Sequence, residues 1–410
     1  MKKMMSDENL RSISVRGLAN GARTVVVHDP RAKNCTVVLA VAAGMRHERP
    51  GQEGMMHLLE HVIYQDSERI LATDRQYQLE RSGAVLGGHT HMDYSEYYET
   101  AAPDDLLQMV GRLDDQVFAP AFEPGQIRTQ VHGVAEERTR RLGAAPGGVL
   151  PWPHLTQRLW LDWPNRHDGT GDLDLLERAT PATLQKLHQH HYRRANAVLV
   201  VFTPIASELV HEGIESIFGA VDRLGRPTDQ LALRGVPAGI DQDVRIQSES
   251  PTGRRLQAVR LADSLEITDL VLGEQLAAAA LRGQQSIDAS AGLFGPGDLA
   301  HDDLFVIVDD SGLALDAEDR FQALPTISGE MLDQAIAGAA FRVEKLIHDD
   351  EHATRTIARD LLLRGDVAFS EKFVSKLSAL IGKPEHAREL LDSASCRLAA
   401  QPAVSITLDP

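Results

Sequence analysis

The 410-residue chain holds only two cysteines, Cys35 and Cys396. That is too few for a disulfide framework or for a zinc site built on thiolates. Positive charge is scarce as well: 42 lysines and arginines face 59 aspartates and glutamates, a formal net charge of −17. So acidic a balance argues against nucleic acid or an anionic membrane as the main partner. No apolar run approaches the roughly 20 residues of a membrane helix. The lysines near the start are followed by no apolar stretch, so the N-terminus does not read as a secretory leader and the expected location is the cytoplasm. Tyrosine is missing from the second half: Tyr64, Tyr77, Tyr94, Tyr97, Tyr98 and Tyr192 are all there are.

What is present is ordinary globular material, 43% hydrophobic and 25% charged, enough for two or three domains. Apolar spacing predicts strands at 24–27 and 36–41, helices at 52–64, 73–82, 104–117 and 123–141, and a β pair at 84–90 and 94–101. A strand at 197–202 and a helix to Phe218 follow. A polar stretch at 223–243, with Pro227, Gly235, Pro237 and Gly239, reads as a linker. Beyond it the plan recurs: strands at 256–261 and 304–309, a helix at 266–281, helices within 328–393, and a closing strand at 404–408. The expectation is an α+β fold of two similar domains, 1–228 and 229–410, each a mixed sheet covered by helices.

The run Gly54-Met55-Met56-His57-Leu58-Leu59-Glu60-His61 contains H-x-x-E-H. On a helix, residues three and four apart share a face, so His57 and His61 can turn two imidazoles to one metal ion. Glu60 lies beside them and can take a proton from a metal-bound water. The order reverses H-E-x-x-H and matches the inverzincin signature. A catalytic zinc usually takes a third protein ligand. The helix through 130–138 offers Glu137, 76 positions beyond His61, with Gln130 two turns earlier on the same face. Glu136, about 100° around that helix, is the fallback. His89 and His91 share a strand face without an evident acidic partner and read as histidines near the cleft. His188, His190 and His191, at a helix end, read as capping and packing residues.

Several spaced segments resemble the pitrilysin/insulinase family of metallopeptidases, above all its half-length members similar to mitochondrial processing peptidase. Leu18 to Gly21 followed by Val25 to Val27 resembles the opening hairpin. Ala42 to Glu48 resembles its "aGsrxE" turn, and Gly54 to His61 its "GxAHxxEH". Asp93 to Tyr98, Gln130 to Arg138, and His191-Tyr192 with Asn196-Ala197 resemble later motifs in the same order. The resemblance implies one Zn2+ per chain held by His57, His61 and Glu137, with Glu60 as base and Gln130 supporting the site from behind. It further implies that Gly87, Gly88, His89 and Thr90 form the strand that binds extended peptide by β-addition, although relatives carry "N-A-x-T" there.

The second half departs from the pattern. Relatives hold substrate with an Arg and a Tyr in "R-x-x-G-x-A-Y", and the aligned region 281–297 lacks it. An intact metal motif without the clamp implies a zinc endopeptidase acting on peptides or unfolded segments, such as a precursor or leader. It would be the catalytic subunit of a heterodimer whose partner supplies the Arg/Tyr pair. A homodimer using Arg282 and a non-catalytic peptide-binding or assembly subunit are the alternatives; loss of H-x-x-E-H is typical of the latter and has not occurred here.

Overall fold

The structure is a computed structural model. It describes residues 11–144, 154–167, 169, 171–219, 225–227, 238, 244–247, 254–262, 266–292, 303–312 and 315–409. The strands are β1 (Ser12–Gly17), β2 (Arg23–His28), β3 (Cys35–Val41), β4 (Val85–Thr90), β5 (Ser95–Ala101), β6 (Ala197–Thr203), β7 (Val244–Gln247), β8 (Arg254–Arg260), β9 (Ile287–Ala291), β10 (Leu304–Asp309) and β11 (Val404–Asp409). In the first half the helices are α1 (Met55–Ile63), α2 (Ala72–Ser82), α3 (Leu106–Phe118), α4 (Pro124–Ala144), α5 (Thr156–Leu159), α6 (Leu173–Leu176), α7 (Pro181–His191) and α8 (Ser207–Phe218). The second half carries α9 (Asp269–Arg282), α10 (Ala317–Ala323), α11 (Gly329–His348), α12 (Asp350–Arg364), α13 (Phe369–Ser378) and α14 (Pro384–Ala399).

The fold is α+β, with two mixed sheets covered by helices. One sheet runs β1-β2-β6-β3-β5-β4, the other β7-β11-β8-β10-β9. With β1 set aside the two orders are the same. β2 lies parallel to β6 as β7 does to β11, and the remaining neighbours are antiparallel in both. β3 and β6 are buried at every residue. Their uninterrupted apolar sequence is what a central strand covered on both faces requires.

One face of the first sheet, with Val26, Val37, Leu39, Leu199 and Val201, packs on Met56, Leu59, Val110, Leu113 and Val134 from α1, α3 and α4. The opposite face, with Val25, Val38, Val198, Val200 and Phe202, packs on Ile357, Ala358 and Leu361 of α12. The second sheet shows the reciprocal arrangement. α9, α11, α13 and α14 cover one face, while Leu155, Leu159 and Trp160, from the first half of the sequence, cover Leu256, Ala258, Val306 and Ile406 on the other. Each sheet is therefore closed by a segment belonging to the other half.

The elements expected from apolar spacing are present within a few residues of their expected ends. β7 and β9 had no counterpart in the sequence reading, and β1 was indicated only by the hairpin resemblance. All but four residues of the expected linker at 223–243, together with Pro151 and Pro153, lie outside the described residues.

Candidate metal centre

The site is built on the start of α1. Gly54 takes the cap position with φ 84°, the left-handed region where glycine is at home. A Cβ there would also lie 2.3 Å from Gly171 Cα. Glycine cannot cap with a side chain, and the Glu48 carboxylate does so instead, accepting from Gly54 N at 3.0 Å and Met56 N at 2.7 Å. An anion at a helix N-terminus gains from its orphan amides and dipole. Glu48 is completed by His167 Nε2 at 3.0 Å. Burial works against a charged His167, yet its bonds to Glu48 outweigh burial and raise its pKa. The preceding turn is pinned by Arg46, buried and bonded to both Asp93 oxygens at 2.7 and 2.5 Å and to Asn165 at 2.9 Å. These contacts give the Ala42–Glu48 segment its purpose: it aims α1.

On α1, His57 is buried, while Glu60 and His61 are half-buried. α4 crosses α1 and brings Glu137 between the two imidazoles. Its Oε2 lies 3.4 Å from His57 Nε2 and 3.3 Å from His61 Nε2. These three residues form the single His/Cys/Asp/Glu group among the described residues with ligand atoms all within 4.8 Å of one another. Ligand atoms about 2.0–2.1 Å from a tetrahedral zinc stand about 3.3 Å apart, so the donor set fits that ion in type and spacing. Glu136 is exposed and outside the group. Gln130 hydrogen-bonds the His61 ring; burial and the neighbouring His57 nonetheless hold the His61 pKa below its ordinary value. His57 Nδ1 is buried without a hydrogen-bond partner.

Among the described residues β4 forms the free edge of its sheet, bonded only to β5. Gly87 and Gly88 do more than loosen it. A Cβ at Gly88 would lie 2.2 Å from the Tyr64 hydroxyl, and one at Gly87 2.4 Å from the Tyr98 hydroxyl. The glycines make room for two rings. Tyr64, the C-cap of α1, follows His61 by three residues with its hydroxyl buried and unpartnered, and burial beside Glu60 raises its pKa well above normal. His89 is exposed and Thr90 buried. His91 stacks on Tyr94 and lies 3.6 Å from Glu96, an acidic neighbour that the strand spacing did not reveal.

Glu96 is bonded in turn by Arg355 of α12, a second-half residue that sequence reading passed over. Only folding shows that α12 lies against the first sheet. Arg282, the expected substitute clamp, bonds the Ala289 carbonyl of β9. Residues 293–297 of the aligned clamp region lie outside the described residues. His188 donates to the Val117 carbonyl at 2.8 Å and stacks on Tyr192, a packing role.

Residues 23–145 match the insulinase family, peptidase family M16. This chain is a homologue of the insulinase-type peptidases. The probable mitochondrial-processing peptidase subunit beta of Arabidopsis thaliana is 24% identical over 232 residues, 57% of this chain and 43% of that protein. The zinc protease PqqE of Helicobacter pylori is 22% identical over 284 residues, 68% of this chain and 60% of that protein. The matches thus span about half the length of these curated relatives. Among solved structures, a protease from Helicobacter pylori superposes with a TM-score of 0.79 at 16% identity, covering 98% of this chain and 100% of that one. The fold, with its two helix-covered sheets, is that of M16-like peptidases.

Proposed function

We propose that this chain is a zinc-dependent endopeptidase acting on peptides or unfolded segments. The observation that carries the reading is the convergence of His57, His61 and Glu137 beside Glu60 on one helix crossing. His57 and His61 bind through Nε2, and Glu137 through its carboxylate. Zinc, when bound, polarises the scissile carbonyl and brings a bound water's pKa towards about 7. Glu60 accepts the proton of the attacking water and passes it to the leaving amine. The edge of β4 that is unpaired among the described residues takes the substrate backbone in extended form, an interaction that needs no side chain at Gly87 or Gly88.

The working unit in this proposal is a heterodimer. This chain contributes residues 1–228 as the catalytic half and 229–410 as a non-catalytic half, and a related partner contributes the Arg and Tyr missing here. Cys35 and Cys396 are free thiols, in keeping with the cytoplasm. Among the described residues no helix is long and apolar enough to cross a membrane.

The deciding experiment measures metal content and peptide-library cleavage for the chain alone and with its candidate partner. The expected result is about one zinc per chain, cleavage that needs the partner, and loss of cleavage with zinc retained in Glu60→Gln. Absence of zinc from carefully purified protein overturns the enzyme reading in favour of a peptide-binding subunit. Full activity from the chain alone overturns the heterodimer.

A further inference from the structure

Away from the proposed metal centre, a second cavity of about 480 Å³ opens between the turn that leads into α1 and the C-terminal end of α7. Its lining includes Arg49, Lys186, Arg193, His47, His190 and His191, and no aspartate or glutamate. In a chain of net charge −17, a cavity walled by three fixed cations and three imidazoles without a carboxylate is a marked local reversal of sign. We propose that this cavity is a binding site for a phosphate group.

The chemistry of the walls favours an oxyanion over a metal. Gly44 N–H donates to His47 Nδ1 at 3.1 Å. Burial holds His47 neutral at pH 7, its pKa brought down to about 4. A neutral ring whose Nδ1 accepts must carry its proton on Nε2 and is therefore a donor. The His191 ring meets His47 edge-on at 5.4 Å and His190 at 4.5 Å. Burial, reinforced by His47, His190, Arg49 and Arg193, brings the His191 pKa down to about 3. The acidic group that acts on His47 is Asp93, which Arg46 already bonds at both oxygens. A metal would meet further positive charge here, and the cluster is absent from the metal-compatible groups among the described residues.

An oxyanion meets N–H donors and fixed cations. Arg193 spends Nε on the Gln189 carbonyl at 3.1 Å and Nη1 on the Gly225 carbonyl at 3.0 Å, which anchors its charge at the rim. Lys186 is exposed on α7 and free to swing over the mouth. Charge-assisted bonds of this kind are the strong class of hydrogen bond, and several together hold phosphate well.

The site has a structural route to the metal helix. Arg49 N–H bonds Gln52 Oε1 at 3.0 Å, and Gln52 N–H bonds the Arg49 carbonyl at 2.8 Å. This small turn runs directly into Gly54, the cap of α1. A phosphate seated on Arg49 and His47 therefore stiffens the segment that aims His57 and His61.

The test is calorimetric titration of the full chain, at pH 7 and physiological salt, with inorganic phosphate and separately with adenosine monophosphate. Saturable binding with half-saturation near about 1 mM or tighter is expected for at least one of them. The Arg49→Ala/Lys186→Ala pair should weaken it at least tenfold while leaving the zinc content and melting temperature unchanged. Tighter binding of the monoester marks a phosphorylated ligand, and tighter binding of phosphate marks the free ion. No saturable binding of either, or binding that survives the double substitution (as phosphate held at the metal centre would), overturns the proposal. The titration needs no peptide cleavage, so its failure leaves the peptidase proposal standing, and the reverse.

Discussion

Arg355 offers the sharpest test of how the two halves support the proposed substrate strand. It reaches from α12 to the buried Glu96 of β5 with Nε and Nη2 at 2.9 and 2.5 Å from Oε1, and its guanidinium lies 4.4 Å over the Tyr98 ring. Glu96 faces His89 of β4 in the strand register. Burial alone would raise the Glu96 pKa, but the close approach of His91 and the charge of Arg355 outweigh it and hold it at about 2, against an ordinary 4.5. A depression of that size is worth about 3 kcal/mol at about 1.4 kcal/mol per pH unit. Because the folded pKa is depressed, this stability is fully present above pH 4.5 and is lost as the pH falls from 4.5 towards 2.

Arg355→Met keeps the stem packed on Tyr98 and removes the charge. A buried ion left without its partner costs about 3–5 kcal/mol, and the remaining His91 contact places the expected loss at the lower end. Urea denaturation at pH 7 of the wild type, Arg355→Met, Glu96→Gln and the double variant reads it. The double variant should recover at least half of the Arg355→Met loss, since no carboxylate then stands unpaired. Strictly additive effects, or a loss below about 1 kcal/mol for Arg355→Met, would refute the reasoning. Peptide KM should rise in Arg355→Met, because among the described residues β5 is the only strand that holds β4.

Gly88→Ala drives a methyl towards the Tyr64 hydroxyl and should destabilise by about 1–3 kcal/mol, the usual range for overpacking. Removing the hydroxyl in Gly88→Ala/Tyr64→Phe should restore part of that loss in thermal melts, and no restoration would show the hydroxyl is not the obstacle. Gln130→Leu removes the bond behind His61 and should weaken metal affinity about 10- to 100-fold in competition with a chelator, at little cost in stability. Unchanged affinity would count against Gln130 as a support.

The grouping at the proposed metal centre was legible in the sequence because it is local: His57, Glu60 and His61 lie within one turn of each other, and α4 carries Glu137 with its heptad neighbour Gln130. What escaped depends on tertiary approach. Glu48 caps a helix that starts seven residues later, Tyr64 needs the glycines of a strand more than twenty residues on, and Arg355 meets Glu96 across 259 positions. Apolar period identified β3, β6 and β10, whose burial is strong, and missed β7 and β9. β7 is four residues long, and the sequence of β9 is Ile-Asp-Ala-Ser-Ala. Neither has the length or the β-branched content that marks a strand.

The exchanged covering segments make the halves interdependent for folding. A fragment of residues 1–228 would keep all six strands of its sheet and lose α12, exposing Val25, Val27, Val38, Ala40, Val198, Val200 and Phe202. At about 1.5–3 kcal/mol for each large apolar side chain uncovered, the loss is on the order of 10 kcal/mol. That matches the whole stability of a typical domain, about 5–15 kcal/mol. Expressed alone, the fragment should therefore aggregate or bind a hydrophobic dye, and co-expression with residues 229–410 should rescue it as a soluble complex. A monomeric, cooperatively melting 1–228 fragment would show that the α12 face is dispensable. The repeated strand order of the two halves would then describe two folding units as well as two copies of one topology.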